Sequence, residues 1–226
     1  PMREVMKWPY RTRDGAVLGH VTRLESESGQ DGSKPNKKII PAFFENGQNG
    51  IPDDMPKGHR IFGLETVTDF SEPIFIVEGE KCAFALQGIG FQAVTSLGGC
   101  GQAKLADWSA IKEAVKVYIL PDNDESGLEY AYGVFRRIKT LNPFTEIKLV
   151  RFPIGEKTDV CDFLKTLPPL MDWNELDCLR EHQHCNSVSS EFQTYVDEHE
   201  EPVPAAWHFH VTKHKHKLIS VNDFSQ

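Results

Sequence analysis

Ile74-Phe75-Ile76-Val77-Glu78-Gly79-Glu80-Lys81-Cys82-Ala83-Phe84-Ala85-Leu86 and, further on, Val117-Tyr118-Ile119-Leu120-Pro121-Asp122-Asn123-Asp124-Glu125-Ser126-Gly127 decide the fold. Each begins with a continuously apolar run, stops at a turn carrying carboxylates, and passes into an amphipathic helical pattern, the second one through Tyr130, Val134 and Ile138. Strands that are apolar on both faces and feed helices belong to a parallel sheet covered on both sides. Such sheets place their sites beyond the carboxyl ends of the strands, which is where Glu78, Asp122 and Asp124 fall. The glutamate and the Asp-x-Asp are 44 residues apart and converge if their strands are neighbours.

Three converging carboxylates repel. Two unit charges about 4 Å apart cost roughly 4 kcal/mol at an effective dielectric near 20, so the cluster needs protons or a cation. Oxygen ligands favour Mg²⁺ or Mn²⁺ over zinc. With Glu78 in Val-Glu-Gly-Glu-Lys after one strand and Asp122 and Asp124 in Pro-Asp-Asn-Asp-Glu-Ser-Gly after a later one, the chain resembles the TOPRIM domain. That domain is the catalytic core shared by bacterial and phage-type DNA primases, topoisomerases and certain nucleases. The resemblance implies a mostly parallel α/β sheet flanked by helices, with Glu78, Asp122 and Asp124 as catalytic and metal-holding residues. It spans roughly Arg60 to Leu167.

The 226 residues are 39% hydrophobic and 26% charged, enough for one medium α/β domain and a smaller appendage. No run of 18 apolar residues and no secretory leader is present, so the expectation is a soluble cytoplasmic protein without a membrane partner. Cys82, Cys100, Cys161, Cys178 and Cys185 lack the spacing of a disulfide scaffold and are read as reduced thiols. A net charge of −8 argues at first against nucleic acid. The distribution matters more: residues 1–70 carry 10 basic and 10 acidic side chains, whereas residues 71–186 carry 12 and 17. Part of the second excess is the proposed metal site.

Residues 1–70 read as a small β-rich subdomain. Asp14-Gly15 between two strand-like runs, ending near Tyr10 and starting at Ala16, signals a hairpin. Lys34, Lys37 and Lys38 border the apolar pair Ile39-Ile40, and Phe62-Gly63-Leu64 follows a Gly/Asn/Pro-rich loop. This order resembles the region preceding TOPRIM in phage-type primase-helicases. It makes Lys34, Lys37, Lys38 and Arg60 candidates for contacting a single-stranded DNA template, against the plainer reading of solvated lysines.

Within residues 71–186, Gly98 and Gly99 form a glycine-rich turn after a short strand at residues 92–95. Glycines there permit positive φ or close approach to a phosphate, and similar TOPRIM sequences have such a turn. Lys81, one helical step past Glu78, is a second phosphate candidate or simply a solvated side chain. Asp107 caps a short helix, and Trp108 is a packing anchor. Asp159 and Asp162 enter a later helix, where an Asp is often a cap. The resemblance adds a metal-ligand role, with Asp159 the better candidate.

Residues 187–226 read as a linker or tail, introduced by Asn186-Ser187-Val188-Ser189-Ser190, with an alternating His208, His210, His214, His216 series. Cys178, His182, His184 and Cys185 are zinc-ligand types, but they crowd into eight residues, too few for one helix to present tetrahedrally.

The resemblance implies a primase-like, Mg²⁺- or Mn²⁺-dependent nucleotidyl transferase that makes short RNA primers from nucleoside triphosphates on single-stranded DNA during phage or plasmid-type replication, beside a helicase domain or partner. Glu78 is then a shared metal ligand or the base for a 3′-hydroxyl. The zinc ribbon of priming enzymes is absent from this sequence: either it lies on a missing N-terminal part, or the chain is a degenerate or non-priming relative. The alternatives are a TOPRIM nuclease, or a non-catalytic nucleic-acid-binding module of a replication helicase.

Overall fold

A computed structural model describes residues 1–27, 35–43, 61–151, 155–165, 209–212 and 219–223. Strands β1 (Met2–Arg11) and β2 (Val17–Ser26) form the antiparallel hairpin expected at Asp14-Gly15. Gly15 sits at φ 90°, and the turn is closed by Thr12 N–H on Ala16 O at 2.8 Å. Strand β3 (Lys37–Phe43) pairs with β2, making a three-stranded antiparallel sheet.

The second sheet contains β4 (Ile61–Phe62), β5 (Ile74–Val77), β6 (Gln92–Ser96), β7 (Lys116–Leu120), β8 (Glu146–Arg151), β9 (Phe209–Thr212) and β10 (Ile219–Asp223), in the spatial order β4-β6-β5-β7-β8-β10-β9. The four central strands β6, β5, β7 and β8 are parallel. The outer strands β4, β10 and β9 run antiparallel to their neighbours. Helix α1 (Glu80–Gly88) follows β5, α2 (Glu125–Leu141) follows β7, and α3 (Val160–Lys165) follows β8.

Alternation along the strands divides the core into two layers. Ile74, Ile76, Val117 and Ile119 face α2 and the short 3-10 turn at Trp108–Ile111, with Trp108, Tyr130, Val134 and Ile138. Phe75, Val77, Tyr118 and Leu120 face α1, α3 and the N-terminal sheet, with Trp8, Tyr10, Val21, Phe43, Leu86 and Phe163. Burying one such side chain contributes about 1.5–3 kcal/mol. A slip of one residue would therefore exchange whole layers, and the register that sets the carboxylates at the strand ends is strongly fixed.

Asp107 caps the Trp108 turn by accepting from Ser109 N–H at 3.0 Å, and fully buried Trp108 donates its Nε1–H to Ala103 O at 2.9 Å. The turn is 3-10, tighter than the expected helix. Cys82, Cys100 and Cys161 are free thiols, while Cys178, His182, His184 and Cys185 lie outside the described residues. Residues 187–226, read as a linker or tail, supply β9 and β10 to the sheet edge. The linker stretch 186–190 lies outside the described residues. No helix among the described residues is long and apolar enough to cross a membrane.

Candidate functional site

Strands β5 and β7 are direct neighbours with Val77 opposite Leu120, so the residues that follow them, Glu78 and Pro121-Asp122, emerge side by side. Gly79, at φ 87°, turns the chain from β5 into α1 and donates its N–H to Thr95 Oγ1 at 3.0 Å. Tyr130 of α2 reaches under this turn and donates to Val77 O at 2.9 Å. Burial pushes the Tyr130 phenol up to about 12, so it stays a donor.

Glu78 is held from two sides. The backbone N–H groups of Cys100 and Asp122 point at its carboxylate and favour its charge, yet burial first, and the charge of Asp124 second, push its pKa above the ordinary value. Its Oε2 is buried with no hydrogen-bond partner. Gly98 and Gly99, at φ 85° and 64°, form the turn that presents Cys100 N–H. A Cβ on Gly99 would stand 3.7 Å from Glu78 Oε1, and one on Gly98 would meet Gln102 Cγ at 2.6 Å. The glycine turn thus closes over Glu78.

Asp122 is pushed up to about 7, by burial first and then by the charges of Glu78, Asp159 and Asp124, with Lys81 opposing. Asp124 is the N-cap of α2: Oδ1 accepts from Gly127 N–H at 2.9 Å and Ser126 Oγ–H at 2.8 Å. That cap uses one carboxylate oxygen and leaves Oδ2 for a ligand. Gly127 is required by contact, because a Cβ there would lie 2.1 Å from Asp122 O.

The loop before α3 is laced to the Asp122-Asn123-Asp124 turn. Asn123 N–H donates to Thr158 O at 2.8 Å, and Lys157 N–H returns to Asn123 O at 3.0 Å. Asp159 thereby lands near Asp122, but both its oxygens are engaged: Oδ2 with Lys81 Nζ at 2.7 Å, Oδ1 with Asp162 N–H at 2.9 Å. Asp162 completes a reciprocal cap on Asp159 N–H at 3.3 Å and pairs with Lys165 at 2.9 Å, which holds its pKa low. The structure therefore brings Glu78, Asp122, Asp124 and Asp159 into one electrostatic cluster, and turns Asp162 to the cap and Lys165. Lys81 meets Asp159, a fixed ion pair in place of a solvated end.

Glu78, Asp122 and Asp124 fit a hard divalent cation. The donors are all oxygen, Glu78 Oε2 has no partner, and each of Glu78 and Asp122 is raised partly by neighbouring negative charge. Among the described residues, the potential ligand atoms that lie within 4.8 Å of one another belong instead to Cys82, Asp159 and Cys161. Glu78, Asp122 and Asp124 do not form such a group.

Lys37 and Lys38 are exposed on β3, while Lys34 and Arg60 lie outside the described residues. Two features escaped sequence reasoning. Glu80, buried at the first turn of α1, accepts a 2.7 Å hydrogen bond from fully buried Tyr10 Oη, fastening the N-terminal sheet next to Glu78. Glu129 accepts from Cys100 Sγ–H at 3.5 Å and adds negative charge near Glu78. The Glu78-Gly79-Glu80 triplet marks Glu80 only as a helix-start acid, and Glu129 follows from the α2 period once Asp124 is fixed as its cap.

No protein-family model matches the sequence, and no curated protein matches it. Solved structures do. A DNA primase domain from Pseudomonas aeruginosa is similar at 17% identity and TM-score 0.53, covering 71% of this chain and 46% of that one. The zinc-binding and RNA polymerase domains of the Aquifex aeolicus primase are similar at 23% identity and TM-score 0.50, covering 76% of this chain and 38% of that one. A DnaG primase catalytic domain bound to single-stranded DNA is similar at 21% identity and TM-score 0.49, covering 71% and 48%. The chain spans less than half the length of these structures. Its fold is that of these primase domains, with the acidic cluster at the ends of β5 and β7.

Proposed function

We propose that the chain is a primase-like nucleotidyl transferase core that joins ribonucleotides on a single-stranded DNA template, using Mg²⁺ or Mn²⁺ held by Glu78, Asp122 and Asp124. The observation that carries the reading is the partnerless, buried Oε2 of Glu78 beside an Asp122 that shares its negative field, on a primase-type fold. Bound there, a divalent cation supplies charge stabilisation for the transferred phosphoryl group.

This chain's own groups do the rest. The Cys100 and Asp122 amides and the Gly98-Gly99 turn hold Glu78, whose buried Oε2 is left without a partner. Its raised pKa suits it to accept a proton from an attacking 3′-hydroxyl. Asp124, anchored through Oδ1 on α2, offers Oδ2 in a fixed direction. Lys81 orders Asp159 and tempers the field at Asp122. The Tyr10–Glu80 bond couples the N-terminal sheet, with Lys37 and Lys38 as template contacts, to the turn bearing Glu78. Lys34 and Arg60 complete the proposed DNA-contacting set, and a helicase domain or partner supplies the unwound strand.

The test is incubation of the chain with single-stranded DNA, ribonucleoside triphosphates and Mg²⁺ or Mn²⁺. Short RNA products that disappear in Asp122→Asn and Glu78→Gln support the reading. Degradation of labelled DNA without ribonucleotides replaces it with a nuclease, and DNA binding with neither activity replaces it with a binding module.

A further inference from the structure

Beside the carboxylate cluster at the ends of β5 and β7, α1 and α3 bring together two cysteines 79 residues apart in sequence. Cys82 Sγ and Cys161 Sγ are 3.9 Å apart, both thiols are buried, and an oxygen of Asp159 lies within 4.8 Å of each. Two thiolates on one tetrahedral zinc, each about 2.3 Å from the metal, stand about 3.8 Å apart. A disulfide needs about 2.05 Å. Cys161 Sγ–H donates to Cys82 Sγ at a spacing that also matches sulfurs sharing a metal, and closing a disulfide would require the two sulfurs to approach by close to 2 Å. Two soft ligands and one carboxylate also select against Mg²⁺.

We infer that Cys82, Cys161 and Asp159 form a site for a thiophilic divalent cation of the zinc class, separate from the carboxylate site and closing α3 onto α1. On binding, Zn²⁺ replaces the two thiol protons, which leave to solvent, and forms two Zn–S bonds and one Zn–O bond, with water in the fourth position. Two thiolates and a carboxylate leave the centre with one net negative charge. Lys81, already 2.7 Å from Asp159 Oδ2, supplies the compensating positive charge. The metal fixes Asp159 in the thiol cluster, so the site orders the loop that is hydrogen-bonded to Asn123 without entering the Glu78–Asp122–Asp124 centre.

The experiment loads the metal-stripped full chain with Zn²⁺ and, in parallel, with Co²⁺ as an optical probe. One equivalent of zinc is expected, with the intense visible bands of tetrahedral cobalt thiolate. Cys82→Ser and Cys161→Ser each lose the bands and weaken zinc binding by roughly 100-fold, while Lys81→Met, removing an outer partner, weakens it by roughly 10-fold. The double variant Cys178→Ser, Cys185→Ser keeps both signals. Millimolar Mg²⁺ does not displace the zinc. Circular dichroism of the stripped variants separates loss of ligand from loss of fold, and Lys81→Met, which removes the ion pair to Asp159 and leaves both thiols, provides the measurement if a cysteine variant unfolds. The inference is overturned by absence of thiolate bands in the wild type, by bands that follow Cys178 and Cys185, by displacement with Mg²⁺, or by an unchanged affinity in Lys81→Met. Zinc stoichiometry and the cobalt bands are read without any primer assay, so this inference and the primase reading can each fail alone.

Discussion

Asp122→Asn separates the electrostatic cost of the site from the rest of the fold. The Asp122 carboxyl is pushed from 3.8 up to about 7, by burial first and then by Glu78, Asp159 and Asp124. A carboxyl whose folded pKa lies above its unfolded one is held protonated by the native state. Stability is therefore present at low pH and lost as pH rises from about 4 through about 7. At about 1.4 kcal/mol per pH unit the shift corresponds to ~4 kcal/mol. Asp122 is only half-buried, and solvent screening brings this to ~2 kcal/mol. Asparagine keeps the shape and removes the titration. In the metal-free protein, the stability of Asp122→Asn relative to wild type is expected to grow by ~2 kcal/mol between about pH 4 and pH 8, or about 4–8 °C in Tm for a chain of this size. Urea melts in EDTA at a series of pH values measure it. Millimolar Mg²⁺ at the high-pH end should recover the wild type and leave the variant unchanged, because the cation replaces the missing counter-charge. Parallel stability curves for the two proteins across that range would refute the argument that Asp122 carries the field of its neighbours.

Three further outcomes follow from contacts. Gly127→Ala brings a Cβ to 2.1 Å from Asp122 O, and should destabilise by about 1–3 kcal/mol while abolishing cation-dependent activity, read by thermal melts and primer assays. Tyr10→Phe leaves buried Glu80 without its donor and should cost about 1–3 kcal/mol in urea melts; an unchanged midpoint would show that the N-terminal sheet is not fastened through this bond. Charge reversal of exposed Lys37 and Lys38 should weaken single-stranded DNA binding and flatten its salt dependence, with an unchanged slope moving the binding face elsewhere.

The parts of this molecule that were legible in sequence are those set by short-range pattern. Ile74–Val77 and Lys116–Leu120 are buried on both faces, so their apolarity is nearly unbroken and the sheet follows from it. Asp14-Gly15 needs only a positive φ at one residue to announce the hairpin. Glu78 and the Asp122-Asn123-Asp124 turn follow from strand ends, and their convergence follows from β5 and β7 being neighbours. What escaped depends on groups distant in the chain. Nothing local distinguishes Tyr10 from any strand tyrosine; its partner is 70 residues away, and only the packing of the N-terminal sheet over α1 introduces them. Cys82 and Cys161 each read as small apolar residues until α3 closes on α1. Asp124 and Asp159 illustrate a different reason. A carboxylate at a helix start satisfies an orphan backbone N–H whether or not it also faces a cation, so the same sequence signal supports both roles. In Asp124 the cap uses one oxygen and directs the other; in Asp159 the cap and Lys81 each take one oxygen and turn the carboxylate toward α1 and α3, which is why two acids with similar local sequence context differ in what they offer to the Glu78–Asp122 centre.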